Sequence, residues 1–119
     1  MKRLMLMAGL LSMPMLALAD ASGTWKATFE TQIGEQSYTY EFHVDGMTLT
    51  GMAKSANGES EIKDGHVDGE TITFVENMSY QGQELVITYK GTMVSDDEIR
   101  FTRMVGEFAT EELVAKRAD

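Results

Sequence analysis

The sequence predicts an all-β protein: a single antiparallel up-and-down meander barrel of about eight short strands, formed by residues 20–119. Three observations carry this. Apolar and polar residues alternate with period two in one run after another. The runs are separated by turn signals such as Asp45-Gly46 and Asp68-Gly69. The one proline, Pro14, precedes all of them, so glycines make the turns.

Ahead of the strands, Lys2 and Arg3 precede an apolar run from Leu4 to Leu16 and then Ala17-Leu18-Ala19. This is the charge, apolar centre and small-x-small end of a secretory signal peptide. The run is short for a bilayer span. Cleavage after Ala19 is expected, leaving one domain in the bacterial periplasm or outside the cell, with no membrane insertion once the leader is gone. The chain has no cysteine, so it has neither a disulfide framework nor a thiol for lipidation. Its net charge is −9, and without Lys2 and Arg3 eight basic residues face nineteen acidic ones. Such a surface repels phosphate backbones and anionic lipid, which excludes a nucleic-acid partner, and it favours a soluble monomer.

Taken in order, Trp25, Ala27 and Phe29 alternate with Lys26, Thr28 and Glu30, and a turn follows at Ile33-Gly34-Glu35. Tyr38, Tyr40 and Phe42 then alternate with Thr39, Glu41 and His43 up to Asp45-Gly46. As the centre of a type I′ turn this dipeptide pairs Val44 with Met47, and so sets Phe42 opposite Leu49, Tyr40 opposite Gly51 and Tyr38 opposite Ala53. After Ala56-Asn57-Gly58 comes a strand over Glu59 to Val67. Ile62 and Val67 have opposite parity in it, which predicts a bulge at Asp64-Gly65. Thr71 to Val75 follows Asp68-Gly69, and the strings Val44 to Thr50 and Val67 to Thr73 are near repeats, read as two successive hairpins. Leu85, Ile87 and Tyr89 alternate, Gly91 to Val94 continues that segment, and Ser95-Asp96-Asp97 turns into a strand from Glu98 to Met104. The last stretch, from Gly106 on, fits a helix or a strand; a strand is preferred, because Leu113, Ala115 and Arg117 can then return to the first segment and close the sheet.

Gly23-x-Trp25 at the start of the first strand, with a basic residue at Lys116 or Arg117 near the end of the last, resembles the shared signature of the calycins. That group comprises the lipocalins, the fatty-acid-binding proteins and the avidin-like barrels. The resemblance implies a lipocalin-like barrel in which Gly23, Trp25, Lys116 and Arg117 form a structural closure, a cation lying across the indole at the sealed end. Over Gly23-Thr24-Trp25, Asp45 to Gly51, Asp64-Gly65, Ile72-Thr73-Phe74, Tyr89-Lys90-Gly91 and Ala115-Lys116-Arg117, the chain is also similar to a short domain recurrent in secreted bacterial proteins.

The inward set in such a barrel is Trp25, Phe29, Tyr38, Tyr40, Phe42, Leu49, Ile72, Phe74, Leu85, Ile87, Tyr89, Ile99 and Phe101. So many rings argue for a packed core over a large cavity. Tyr38, Tyr40 and Tyr89 need partners for their hydroxyls, either within the core or on a ligand at the mouth. Arg103 shares the parity of Phe101. It is therefore a buried charge in need of a partner, a rim residue able to receive an acidic ligand group, or exposed through a bulge. Asp64, His66 and Asp68 recur every second residue, but a bulge at Gly65 breaks their common face, and no metal site is assigned. His43 falls on the polar side, and the methionines, of which Met47 and Met52 have opposite parity, are read as filler and not as copper ligands.

No Ser-His-Asp set and no phosphate-binding loop is present, so no enzyme activity and no cofactor is expected. The expected function is an exported barrel that binds a small, largely apolar molecule at its open end through Tyr38, Tyr40, Tyr89 and Arg103. The alternative is a non-catalytic accessory module that recognises a carbohydrate or a secreted protein through its outer faces.

Overall fold

Side chains of an extended strand point alternately to its two faces, so the period-two pattern becomes an apolar interior and a polar exterior once the strands join edge to edge. The computed structural model describes residues 20–118. The expected signal peptide and its cleavage site after Ala19 fall outside or at the edge of that range. The elements are β1 (Gly23–Thr31), β2 (Gly34–Asp45), β3 (Thr48–Ser55), β4 (Gly58–Asp68), β5 (Thr71–Tyr80), β6 (Gln83–Ser95), β7 (Glu98–Val105) and β8 (Ala109–Arg117). They form a closed barrel in sequence order, each strand antiparallel to the next, with β8 returning to β1. The final stretch is thus a strand, and the fold class is the one the alternation predicts.

Trp25, Tyr40, Phe42, Leu49, Ile72, Phe74, Ile87, Tyr89, Ile99 and Phe101 are all buried inside, joined by Ile62, Met93, Leu113 and Ala115. Leu85 is only half-buried. Charged residues such as Lys26, Glu30, Glu41, Lys90, Arg100 and Glu112 face outward, the reverse of the polarity a lipid-embedded barrel needs.

Rings pack opposite small residues, but with partners other than those expected. Asp45 pairs with Thr48, Phe42 with Gly51 and Tyr40 with Ala53. The loop is therefore Gly46-Met47, and only Gly46 has a positive φ, at 66°. A type I′ turn needs positive φ at both central positions, which Asp45-Gly46 does not supply. The register lies two residues from the expected one, and a shift of two leaves every side chain on its own face. The repeat behaves identically: Asp68 pairs with Thr71, and Gly69 has φ 64°.

The predicted bulge is present. Ile62 pairs with Glu76 and Lys63 with Val75, but His66 pairs with Thr73, so Asp64 and Gly65 together oppose Phe74. Asp64 takes φ 51° there. The extra residue lets both Ile62 and Val67 turn toward the core.

Pairing is uneven around the barrel. β1 and β8 match only at Trp25 with Arg117 and Lys26 with Lys116, and β4 and β5 match only from Ile62 with Glu76 down to Asp68 with Thr71. Both seams are zipped at the Trp25 end and unpaired toward the other, so β1–β4 and β5–β8 form two halves that part at the open end.

Gly51 illustrates how tight the wall is. Its φ is 146°, and a Cβ placed there would lie 1.8 Å from the Glu41 carbonyl oxygen. Gly51→Ala is expected to cost about 2–4 kcal/mol, from backbone strain plus overpacking, whereas Thr50→Ala on the exposed face should cost under about 0.5 kcal/mol. Urea unfolding midpoints of the two variants check this; equal midpoints would contradict the close approach.

Candidate functional site

The two ends of the barrel differ. At the zipped end Trp25 is fully buried and its Nε1 donates to the Ala21 carbonyl at 2.9 Å. Arg117 lies over the indole, 4.4 Å from the ring centroid. Its guanidinium also donates to the carbonyl oxygens of Asp96, Ser22 and Asp20 at 2.7, 2.7 and 3.0 Å. Arg117 is therefore the cation across the tryptophan. Lys116, its neighbour of opposite parity, points outward and bonds Glu98. Gly23 opens β1 opposite Phe42.

Above this floor the aromatic residues stack and cross. Phe74 and Tyr89 are parallel at 4.3 Å, and Tyr40, Phe42 and Phe101 surround them at 5.6–6.1 Å. This layer fills the middle of the barrel.

A buried polar cluster lies on top of the rings. Arg103 on β7 is 3% exposed. Its Nε donates to the Tyr89 hydroxyl at 2.8 Å, its Nη2 to the Tyr38 hydroxyl at 2.9 Å and its Nη1 to Glu111 Oε1 at 2.5 Å. The Tyr38 and Tyr89 hydroxyls in turn donate to the two oxygens of Glu76, at 3.1 and 2.9 Å. Tyr89 has one proton and gives it to Glu76, so across the 2.9 Å contact between the Tyr40 and Tyr89 oxygens it is Tyr40 that donates. The guanidinium also lies 5.0–5.6 Å from the ring centroids of Phe29, Tyr38 and Tyr89. Arg103 is thus neither at a free rim nor exposed through a bulge; it is buried and paired.

Electrostatics follow from this geometry. Burial pushes the Tyr38, Tyr40 and Tyr89 phenols well above their ordinary value, so all three remain neutral donors. Burial likewise raises the Glu76 carboxyl, while Arg103 and the two hydroxyls pull it back. Desolvation works against the charge on Arg103, but Tyr89, Tyr38 and Glu111 outweigh it and raise its pKa.

Directly above the cluster, at the unzipped end, is a cavity of about 220 Å³. Tyr38, Arg103 and Glu111 form its polar floor; Met78, Leu85, Ile87 and Val105 are apolar wall; Gln32, Ile33 and Phe108 stand at the rim. Ile33 and Phe108 are 48% and 68% exposed, and Gln32 Nε2 reaches the Phe108 carbonyl at 3.3 Å to join the rim across the β1/β8 seam.

Of the four residues the sequence proposes for ligand contact, Tyr38 and Arg103 line this cavity. Tyr40 and Tyr89 lie beneath it and support them. Glu76 and Glu111 escape the sequence reading, although each has a signal: Glu76 shares the parity of Ile72 and Phe74, and Glu111 that of Leu113 and Ala115. Asp64, His66, Asp68 and His43 are exposed, and among the described residues no three His, Cys, Asp or Glu side chains gather as a metal set.

No family model matches the sequence, and no curated protein matches it. Solved structures do. The chain is similar to a redesigned β-barrel, mFAP0, bound to DFHBI, with a TM-score of 0.55 and 17% identity over 81% of this chain and 97% of that one. It is similar to a second redesigned barrel, mFAP1, bound to DFHBI, with a TM-score of 0.53 and 14% identity over 82% and 94%. EF1p2_mFAP2b bound to DFHBI follows, with a TM-score of 0.50 and 15% identity over 82% and 93%. At these identities the likeness concerns the fold, a closed antiparallel barrel.

Two expectations test the cluster. Arg103→Met leaves two buried carboxylates without their cation and should cost about 3–5 kcal/mol. Adding Glu76→Gln and Glu111→Gln to it should restore most of that loss in chemical denaturation, because no buried charge is then uncompensated. The second test concerns pH. Glu76 has a folded-state pKa above its unfolded value, so in that window the native chain holds the extra proton. Its contribution to stability grows as pH falls toward the ordinary carboxylate range and is lost as pH rises through the raised value. Relative to Glu76→Gln, the unaltered protein should therefore gain stability as pH is lowered from neutral; a difference that does not change with pH would contradict the raised pKa.

Proposed function

We propose that this protein is an exported binding barrel that holds a small, largely apolar molecule at its open end, acting by sequestration or carriage and not by catalysis. The observation that carries the reading is the pairing of a sealed end with a hollow one. The Trp25 end has its indole buried under Arg117, while the other end keeps a cavity with aliphatic walls and a few convergent polar groups, the usual make-up of a small-molecule site. The volume suits a one- or two-ring molecule, since a cavity of about 150 Å³ takes a benzene. Tyr38, Arg103 and Glu111 are held in place by hydrogen bonds to one another and to Tyr89 and Glu76, an arrangement that fixes a surface for a ligand to lie on. Redesigned barrels of this fold are bound to DFHBI, which supports the view that such a barrel can accept a small molecule at all. Export rests on the leader residues Lys2 to Ala19.

A neutral naphthalene fluorophore whose emission depends on polarity provides the test. Its emission should shift to the blue and saturate at one molecule per chain. Leu85→Trp, which fills the cavity from the β6 wall, should weaken that binding at least about tenfold by the loss of apolar contact. Uptake that never saturates, or that ignores Leu85→Trp, would count against the open-end site.

A further inference from the structure

The floor of the cavity has more hydrogen-bonding capacity than the protein uses. A guanidinium carries five N–H donors, and Arg103 spends three, on Tyr89, Tyr38 and Glu111. The remaining two, one on Nη1 and one on Nη2, meet no acceptor among the described residues. Glu111 accepts from Arg103 at Oε1 only, and no described residue donates to its Oε2. Both side chains are nearly fully buried, at 4% and 8% exposure, and both line the cavity. A buried polar group without a partner is costly, so a molecule that enters this cavity is rewarded for meeting these atoms and penalised for covering them with hydrocarbon.

Charge decides what kind of molecule can do so. Arg103 is already balanced by Glu111 at 2.5 Å and faces Glu76 at 3.9 Å. A carboxylate or sulfonate in the cavity would bring a further negative charge next to Glu111, with no unmatched cation to receive it. The expectation from sequence that Arg103 offers a seat for an acidic group fails for this reason: its carboxylate partners come from the protein itself. A hydrocarbon is accepted by the walls but leaves both the N–H groups and Glu111 Oε2 unsatisfied.

Resting on the open-end binding reading, we propose that the cavity selects an uncharged one- or two-ring molecule carrying a hydrogen-bond acceptor beside a donor, as in a ring lactam or cyclic urea. The acceptor takes the free Arg103 N–H groups and the donor meets Glu111 Oε2, while the rest of the molecule lies against Leu85, Met78 and Val105. Anionic amphiphiles of the same size are excluded by Glu111. Selectivity of this sort is strong because a site built to hydrogen-bond a group rejects the analogue that lacks it.

The test compares four probes built on one fused bicyclic frame, on the intact protein, by calorimetry or by displacement of the naphthalene fluorophore. They are 2-quinolinone, N-methyl-2-quinolinone, naphthalene and 2-naphthoate. 2-Quinolinone should bind at least about tenfold more tightly than each of the other three. Its N-methyl derivative keeps the carbonyl for Arg103 but loses the donor to Glu111, and so loses that advantage. In Glu111→Gln the preference over 2-naphthoate should shrink at least about tenfold, as the repelling charge is removed. If naphthalene binds and 2-quinolinone has no advantage, or if 2-naphthoate binds the unaltered protein best, the lactam assignment is overturned while the binding site stands. If none of the four binds, the open-end reading itself fails and takes the assignment with it. The probe series on the unaltered protein decides the matter even if Glu111→Gln does not fold.

Discussion

A guanidinium inside an apolar barrel is the constraint around which the upper half of this structure is arranged. Removing such a charge from water costs several kcal/mol even after relaxation, and the cost is offset only by well-placed partners. Here those partners come from different strands: Tyr38 from β2, Glu76 from β5, Tyr89 from β6 and Glu111 from β8, around Arg103 on β7. The network bridges the two half-barrels at the level where their backbone ladders stop. Below Ile62 and Glu76 the halves are joined by main-chain hydrogen bonds; at and above them, the contacts of Tyr38 with Glu76 and Arg103 take over that task. The cluster is thus a positional device as much as an electrostatic one. It holds the mouth at a set width without closing it.

The opposite end solves a different problem with a similar residue. Arg117 also lies over an aromatic ring, but its donors go to backbone carbonyls of the N-terminal segment and the β6–β7 turn. It satisfies orphan acceptors where strands end and covers Trp25 from solvent. One arginine therefore closes an end and the other furnishes a floor. The difference lies in what surrounds them: carbonyls and an indole in the first case, carboxylates, phenols and open volume in the second.

Much of this was legible in the sequence. Parity placed the core residues on the correct face, the conflict between Ile62 and Val67 located the bulge at Asp64-Gly65, and the need to close the sheet made β8 a strand. The hairpin register was not legible, because a slip of two residues leaves each side chain facing the same way; only the φ of Gly46 and Met47 distinguishes the two pairings. The partners of Arg103 were hidden for a related reason. Alternation says whether a side chain faces inward but not at what height along the barrel, and height depends on strand stagger and tilt. Glu76 meets Tyr38, 38 residues away, only because the barrel closes, whereas Glu111 is the direct partner of Arg103 across the β7–β8 hairpin. Reading inward parity through to charged residues, instead of stopping at the apolar ones, would have marked both as members of the interior.

The position of the cavity follows from the order of side-chain sizes along the strands. On β2 the inward residues are aromatic from Phe42 up to Tyr38, and their rings, with Phe74, Tyr89 and Phe101, fill the centre of the barrel. On the strands opposite, the inward positions above Tyr89 and Arg103 become Ile87, Leu85 and Val105, and on β5 the series ends with Met78. Aliphatic side chains of this size do not reach the axis of an eight-stranded barrel, whereas rings do. Space is therefore left where the rings stop, and Arg103, tethered downward by Tyr89 and sideways by Glu111, is prevented from rising into it. The same residues that neutralise the buried charge keep the volume above it free, so the electrostatics of the cluster and the position of the cavity have one cause.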